Sequence, residues 1–193
     1  MSAEKLITSK LLRVVTFCIS FFYISINSFP ACSKDIVFLN PASEINLFWK
    51  NVSLTMESAA HQLGLELEII YCDKSLRKMK KYATHLLARA HPPKYIVAVN
   101  ENSQGKEIVE LIKGTNINLL FILNDLTEEE KLLSGRPRTQ TPNWLGSITP
   151  DAEAGGYEMA KAIINASNQK YGTTKHLFAL SGDDTTPSSI ARN

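Results

Sequence analysis

Short apolar runs alternate along this chain with stretches whose apolar residues recur at helical spacing. The first run, Asp35–Asn40 (DIVFLN), is apolar on both faces, as a central parallel strand is. A polar loop, NPASEIN, leads from it into a helix of about Phe48–Leu63, with Trp49, Val52, Met56, Ala59, Ala60 and Leu63 at helical spacing. Gly64 is placed to stop that helix. A second strand, Leu65–Tyr71, precedes a helix of about Ser75–Ala90, capped by Asp73 or Ser75 and ended by Pro92-Pro93. Tyr95–Asn100 reads as a third strand, Gln104–Ile112 as a helix ending near Gly114, Leu119–Leu123 as a fourth strand, and Thr127–Leu133 as a short helix. Ser134–Asn143 is an exposed loop with a glycine, two prolines and two arginines. Trp144–Ser147 resumes as a short strand. Thr149-Pro150-Asp151 breaks it, and Asp151 caps a long helix, Ala152–Tyr171. His176–Leu180 is a last strand, opening onto the polar loop SGDDTTPSS. Strands regularly interleaved with helices predict βαβ units. The predicted fold class is therefore α/β: a three-layer parallel sheet with helices on both faces.

In an open parallel sheet, ligands bind beyond the carboxyl ends of the strands. The loop after the first strand delivers Asn46, Phe48 and Trp49 there, an amide and two aromatic faces. That suits a sugar, whose hydroxyls need hydrogen bonds and whose C–H faces need flat apolar surface. The competing reading makes Phe48 and Trp49 the first core residues of the helix. Asn100-Glu101-Asn102 and Asn124-Asp125 end the third and fourth strands on the same rim. Polar rim plus aromatics describes a binding cleft without a nucleophile.

Composition narrows the class. The chain has 193 residues, 44% hydrophobic and 21% charged, with a formal net charge of +2, which is the composition of a soluble globular protein. No basic stripe with interleaved aromatics marks a nucleic-acid footprint, and Lys78–Lys81 reads as a solvated helix face. Lys5, Lys10 and Arg13 followed by the apolar stretch Leu11–Ile26 form an export signal. That stretch is shorter than the roughly 20 apolar residues of a membrane span. Ala31-Cys32-Ser33 fits a small-x-small cleavage site; a lipid anchor at Cys32 and an uncleaved N-terminal anchor are the competing readings. Cys18 lies in the leader, and Cys72, after an apolar strand, is expected to be structural. Asn51-Val52-Ser53 and Asn165-Ala166-Ser167 match the glycosylation triplet but fall within predicted helices.

Catalytic patterns are missing. There is no G-x-G-x-x-G after the first strand, no Walker loop and no G-x-S-x-G elbow. His61, His85, His91 and His176 are scattered, and Asp183-Asp184 are adjacent residues whose side chains diverge. No metal, cofactor or catalytic residue is expected. An exported α/β hydrolase would need a nucleophile–base pair at the strand ends, and none is found.

From Asp35 onward the chain resembles the type I periplasmic solute-binding proteins of the ribose/galactose kind, a fold shared with the lactose-repressor core. The resemblance is carried by Asn46-Leu47-Phe48-Trp49, where that family has N-P-F-F or similar, and by Asn124-Asp125, where it has an Asp-Arg pair. Trp144–Ile163 (WLGSITPDAEAGGYEMAKAI) is similar to its first crossing between lobes, V-G-x-D-N-x-x-A-G-x-x-A, with Pro150-Asp151 at the Asp-Asn pair. SGDDTTPSSIARN resembles the loop in which an arginine binds sugar, here Arg192. The resemblance implies ligand contacts from Asn46, Phe48, Trp49, Asn124, Asp125, Asp151 and Arg192, with Phe48 or Trp49 stacking on the ring. It implies a periplasmic location and a small polar ligand, a sugar or sugar-like molecule. The expected partners are the membrane subunits of an ABC-type sugar transporter. A periplasmic sensor signalling to a membrane kinase is the alternative, since an autoinducer receptor of this fold has a similar first-loop Trp.

It further implies an organisation of residues 1–33 as signal peptide, 34–149 as the N-terminal lobe and 150–193 as the first crossing with an incomplete start of the second lobe. The second lobe is expected to be truncated, with weak or no sugar binding, because closure around a ligand needs both lobes.

Overall fold

The computed structural model describes residues 34–171 together with Phe178. The leader, the strand at His176–Leu180, the loop after it and Arg192 lie outside the described residues. Five strands, β1 (Ile36–Asn40), β2 (Leu67–Tyr71), β3 (Tyr95–Ala98), β4 (Asn118–Ile122) and β5 (Trp144–Ile148), form one sheet in the order β2-β1-β3-β4-β5. Every pairing is parallel. Five helices follow the strands in turn: α1 (Leu47–Gln62), α2 (Leu76–Leu87), α3 (Gly105–Ile112), α4 (Glu128–Ser134) and α5 (Ala152–Tyr171). Each element expected from periodicity over the described residues is present, with ends moved by a few residues. β2 starts at Leu67 rather than Leu65, and α2 stops at Leu87 rather than Ala90.

Both faces of the sheet are covered, but unequally. Val37, Leu39, Ile96, Ala98, Leu119, Phe121 and Trp144 point to one side, where they pack against Met79, Ala83 and Leu86 of α2 and Ile108, Val109 and Ile112 of α3. Phe38, Val97 and Val99 point to the other, against Trp49, with Val52 and Met56 of α1 at its margin. The period-2 alternation of side chains explains why the central runs are apolar throughout. α5 is exposed or half-exposed wherever its side chains are described, with Tyr157, Met159 and Ile163 all open to solvent.

Local chemistry sets the element ends. Asn46 and Ser75 cap α1 and α2 by accepting from the amides of Trp49 (3.1 Å) and Lys78 (3.3 Å). Thr127 and Glu130 form a reciprocal capping box at α4. The register of β4 and β5 shifts between Leu119 and Leu120, leaving Leu145 as an extra residue beside Gly146, whose φ is 138°. The Leu145 carbonyl accepts from Arg138 Nε at 3.1 Å. Cys72 is buried, and burial pushes its thiol pKa up to about 12, so it is an inert core group as expected.

One ion pair joins the edge strand to the loop after α2. Arg89 grips Glu68 with two bonds, Nη1–Oε2 at 2.6 Å and Nη2–Oε1 at 2.8 Å. The hydrogen bonds from Arg89 hold the Glu68 pKa below 4.5, against partial burial, which acts the other way. A lowered carboxylate contributes stability that is present above its unfolded-state value and is lost as pH falls through the folded-state value. Glu68→Gln should therefore cost about 1 kcal/mol at neutral pH. The difference should vanish well below pH 4.5. Urea unfolding of both proteins at the two pH values checks this.

Candidate functional site

The strands leave polar residues at their carboxyl ends, and the first of these are structural. Asn40, at the tip of β1, is fully buried. Its Nδ2 donates to the Trp49 carbonyl (3.1 Å) and Ser53 Oγ (3.0 Å), and its Oδ1 accepts from Ala42 N (3.0 Å). This clamp holds the turn that brings α1 back over the sheet. Asn100, beyond β3, is also buried. Its Nδ2 donates to the Asp125 carbonyl (2.9 Å) and Glu130 Oε2 (2.8 Å), and its Oδ1 accepts from Gly105 N (2.7 Å). A Cβ on Gly105 would lie 2.8 Å from that same Oδ1 and 2.6 Å from Leu126 Cδ1, so only glycine fits where α3 starts.

Backbone conformation marks the same rim. Asp73, Lys74, Asn102, Ser103 and Leu123 all have positive φ, between 48° and 65°, and all lie in the loops leaving β2, β3 and β4. Such residues are costly for non-glycine side chains and gather where a loop is held for function.

The segments that follow β1, β2 and β3 line a hollow of about 260 Å³. Pro41, Asn46 and Trp49 form its first wall, Lys74, Ser75 and Met79 its second, and Glu101, Asn102 and Gln104 its third. The volume lies just below the range of about 300–1,000 Å³ usual for small-molecule sites. Asn46 Oδ1 is occupied in capping α1, which leaves its amide hydrogens for another acceptor. Trp49 is 9% exposed and packs on Phe38 at 6.5 Å between ring centroids, so it is a core residue that also lines the hollow. A wider groove of about 400 Å³ runs between α2, α3 and α4, but it is lined by helix-surface residues, among them the ion pair Lys80–Glu107 at 2.8 Å.

The other residues singled out in the sequence lie elsewhere. Phe48 is exposed, edge-on to Trp49 at 5.1 Å, and borders a shallow groove along α1 with Asn51, Val52, Thr55 and Met56. Asn124 is buried at the tip of β4; its carbonyl accepts from Asn100 N at 3.3 Å. Asp125 has both carboxylate oxygens engaged. Oδ1 accepts from Ser147 Oγ and from Leu126 N (2.8 Å), and Oδ2 pairs with Lys131 Nζ (2.8 Å). Burial alone would lower the Lys131 pKa, but its bonds to Asp125 and Glu128 outweigh that and hold it above the ordinary lysine value. Asn124 and Asp125 thus stand at the neighbouring strand tip and are not part of the lining of the hollow. Asp151 caps α5, accepting from Ala154 N at 2.9 Å. Lys74 and Gln104 were not singled out in the sequence, although each lies in a loop after a strand, where the carboxyl-end rule points. Among the described residues no group of three or more His, Cys, Asp or Glu side chains could hold a metal ion.

Comparison with known proteins agrees with this geometry at the level of fold. No protein-family model and no curated protein matches the sequence. Among solved structures, a periplasmic sugar-binding protein from Pseudomonas fluorescens is 29% identical, with a TM-score of 0.64 over 82% of this chain and 45% of its own. The binding-protein component of the arabinose ABC transporter from Shewanella sp. ANA-3, bound to L-arabinofuranose, is 14% identical, with a TM-score of 0.63 over 81% of this chain and 47% of its own. The lactose repressor is 15% identical, with a TM-score of 0.58 over 81% of this chain and 50% of its own. The last two likenesses are of fold alone. The chain spans about half the length of the structures it matches. Its parallel sheet and interleaved helices are those of the type I periplasmic solute-binding fold of the sugar-binding kind.

Proposed function

We propose that this chain binds a small polyhydroxylated ligand, a sugar, in the hollow at the strand tips, as the substrate-binding component of an ABC-type sugar transporter. The observation that carries this reading is the make-up of the hollow: an indole wall faced by hydrogen-bonding groups from three separate loops. Asn46 would donate through Nδ2 to a hydroxyl oxygen, and Trp49 would cover a C–H face of the ring. Phe48, edge-on to Trp49 and bordering a separate groove, would join only by turning toward the hollow. Asn124 and Asp125, at the next tip, would join only if Asp125 exchanged its bond to Lys131 or Ser147 for one to the ligand. Asp151 and Arg192 come from the likeness of the crossing and of the final loop to the ribose/galactose kind, and would contact the ligand from across the cleft. The sugar-binding neighbours are binding proteins, which supports a binding role.

A thermal-shift titration of the purified chain against pentoses, hexoses and their furanose forms, carried to millimolar sugar, tests the reading. A saturable rise in Tm is expected with at least one of them. Ligand at one hundred times its Kd adds about 2.7 kcal/mol. A flat melting temperature across the whole panel would exclude sugar binding by this chain.

A further inference from the structure

The hollow's own hydrogen bonds use up acceptors on two of its walls and leave donors. Asn46 and Ser75 have each spent an oxygen on capping α1 and α2, which leaves the Asn46 amide hydrogens and the Ser75 hydroxyl proton. Lys74, next to Ser75 on the second wall, adds an ammonium with three donors. All three residues are at least partly exposed, so a ligand in the hollow can reach them. Gln104 is closed to it, because its Nε2 donates to the Glu101 carbonyl at 2.9 Å and its Oε1 is enclosed.

Lys74 is fixed by its backbone. Its φ is 55°, and its N–H donates to the Pro41 carbonyl at 2.6 Å, while the Asp73 N–H donates to the Ala42 carbonyl at 3.1 Å. These bonds fasten the loop after β2 to the segment after β1, so Lys74 stands beside the first wall. Its charge is not neutralised there. The adjacent acid, Asp73, pairs with Lys78 at 2.6 Å, and among the described residues no carboxylate lies within ion-pair distance of the Lys74 ammonium. Acceptor oxygens belong to the third wall, on Glu101 and Asn102. The first two walls therefore suit a group that only accepts and carries negative charge, and the third suits hydroxyls that donate. A carboxylate or phosphate is such an acceptor, and bonds to an ionised partner are the stronger kind.

We infer, on the sugar-binding reading of this hollow, that its ligand is an acidic sugar, whose carboxylate or phosphate is bonded by Lys74 with Asn46 and Ser75 while its ring hydroxyls face Glu101 and Asn102. The test uses the purified chain, its Lys74→Gln variant and, as control, Lys81→Gln, which removes an exposed lysine of α2 that is not on the lining. Calorimetric titration compares four probes: the panel sugar that raises Tm most, the acid in which its terminal CH2OH is oxidised to a carboxylate, its terminal phosphate ester, and its 2-amino-2-deoxy form.

Both variants should melt within about 3 °C of the parent without ligand. At least one of the two acidic forms should bind the parent about tenfold more tightly than the neutral sugar, and the amino form should bind more weakly than the neutral sugar. Lys74→Gln should remove that advantage and leave affinity for the neutral sugar within about twofold of the parent's, whereas Lys81→Gln should keep the advantage. The tighter of the carboxylate and the phosphate identifies the charged group. A neutral sugar that binds the parent as tightly as both acidic forms would overturn the acidic ligand. An advantage that survives in Lys74→Gln, or is lost equally in Lys81→Gln, would overturn the role of Lys74. If no panel sugar raises Tm, the sugar-binding reading itself falls, and this inference with it.

Discussion

Asn100→Leu should lower the unfolding free energy by about 4 kcal/mol, or roughly 10 °C in Tm. The substitution keeps the size of the side chain and removes every hydrogen bond it makes. Three buried groups then lose a partner: Gly105 N–H, the Asp125 carbonyl and the Glu130 carboxylate. Glu130 is the worst placed, since its Oε1 is already without one. The damage should spread to the rim, because the same amide ties the loop after β3 to the start of α3, to the loop after β4 and to α4. Urea unfolding followed by circular dichroism measures the loss. A value under about 1 kcal/mol would mean that water replaces the amide and that the network does not hold the loops.

Trp49→Ala should cost about 3–5 kcal/mol and abolish the sugar response together. The indole sits against Phe38, Ala42, Val97 and Val99, where α1 is what covers this face of the sheet. Trp49→Phe keeps much of that packing and should cost less, about 1 kcal/mol, while reducing the flat area offered to a ligand. Comparing the two variants separates the roles. A ligand response that survives in Trp49→Phe but not in Trp49→Ala would make the residue chiefly a support. Loss in both would make the indole a contact surface.

Trp49 is a core residue, as one of its two readings in the sequence had it, and it also lines the hollow, where the other reading would put a ligand. It lies in the first turn of a helix that starts beside the strand tips, so it can pack on Phe38 and still border the hollow. The order of strands and helices was legible because buried parallel strands are apolar on both faces and each helix has its own periodicity. Ser75 and Asp151 were legible as caps because capping is a local bond. Asn46 was read as a ligand group, and the structure shows that its oxygen caps α1 while its amide hydrogens stay available.

What stayed hidden depends on partners distant in sequence. Asp125 looked like a ligand carboxylate, but Ser147, 22 residues away, shares its Oδ1. Asn40 read as a plain strand end and Asn100 as part of the polar rim of a cleft, yet both are buried clamps whose partners arrive from α1, α3 and α4. Gln104 carried no signal beyond its place after a strand. That it lines the hollow while its side-chain oxygen is enclosed without a partner is visible only in coordinates.

The chain contains two tryptophans, and the fold separates them. Trp144 is fully buried on the side of the sheet covered by α2 and α3, edge-on to Phe121 at 6.2 Å between ring centroids, while Trp49 lines the hollow. In a Trp144→Phe chain, Trp49 is the sole indole, and its emission reports on the hollow alone. Titrating that chain with the sugar panel should give a saturable change in intensity or wavelength for the sugar that raises Tm, with the same midpoint in both experiments. A rise in Tm with Trp49 emission unchanged throughout the titration would place the ligand elsewhere and contradict binding at the strand tips.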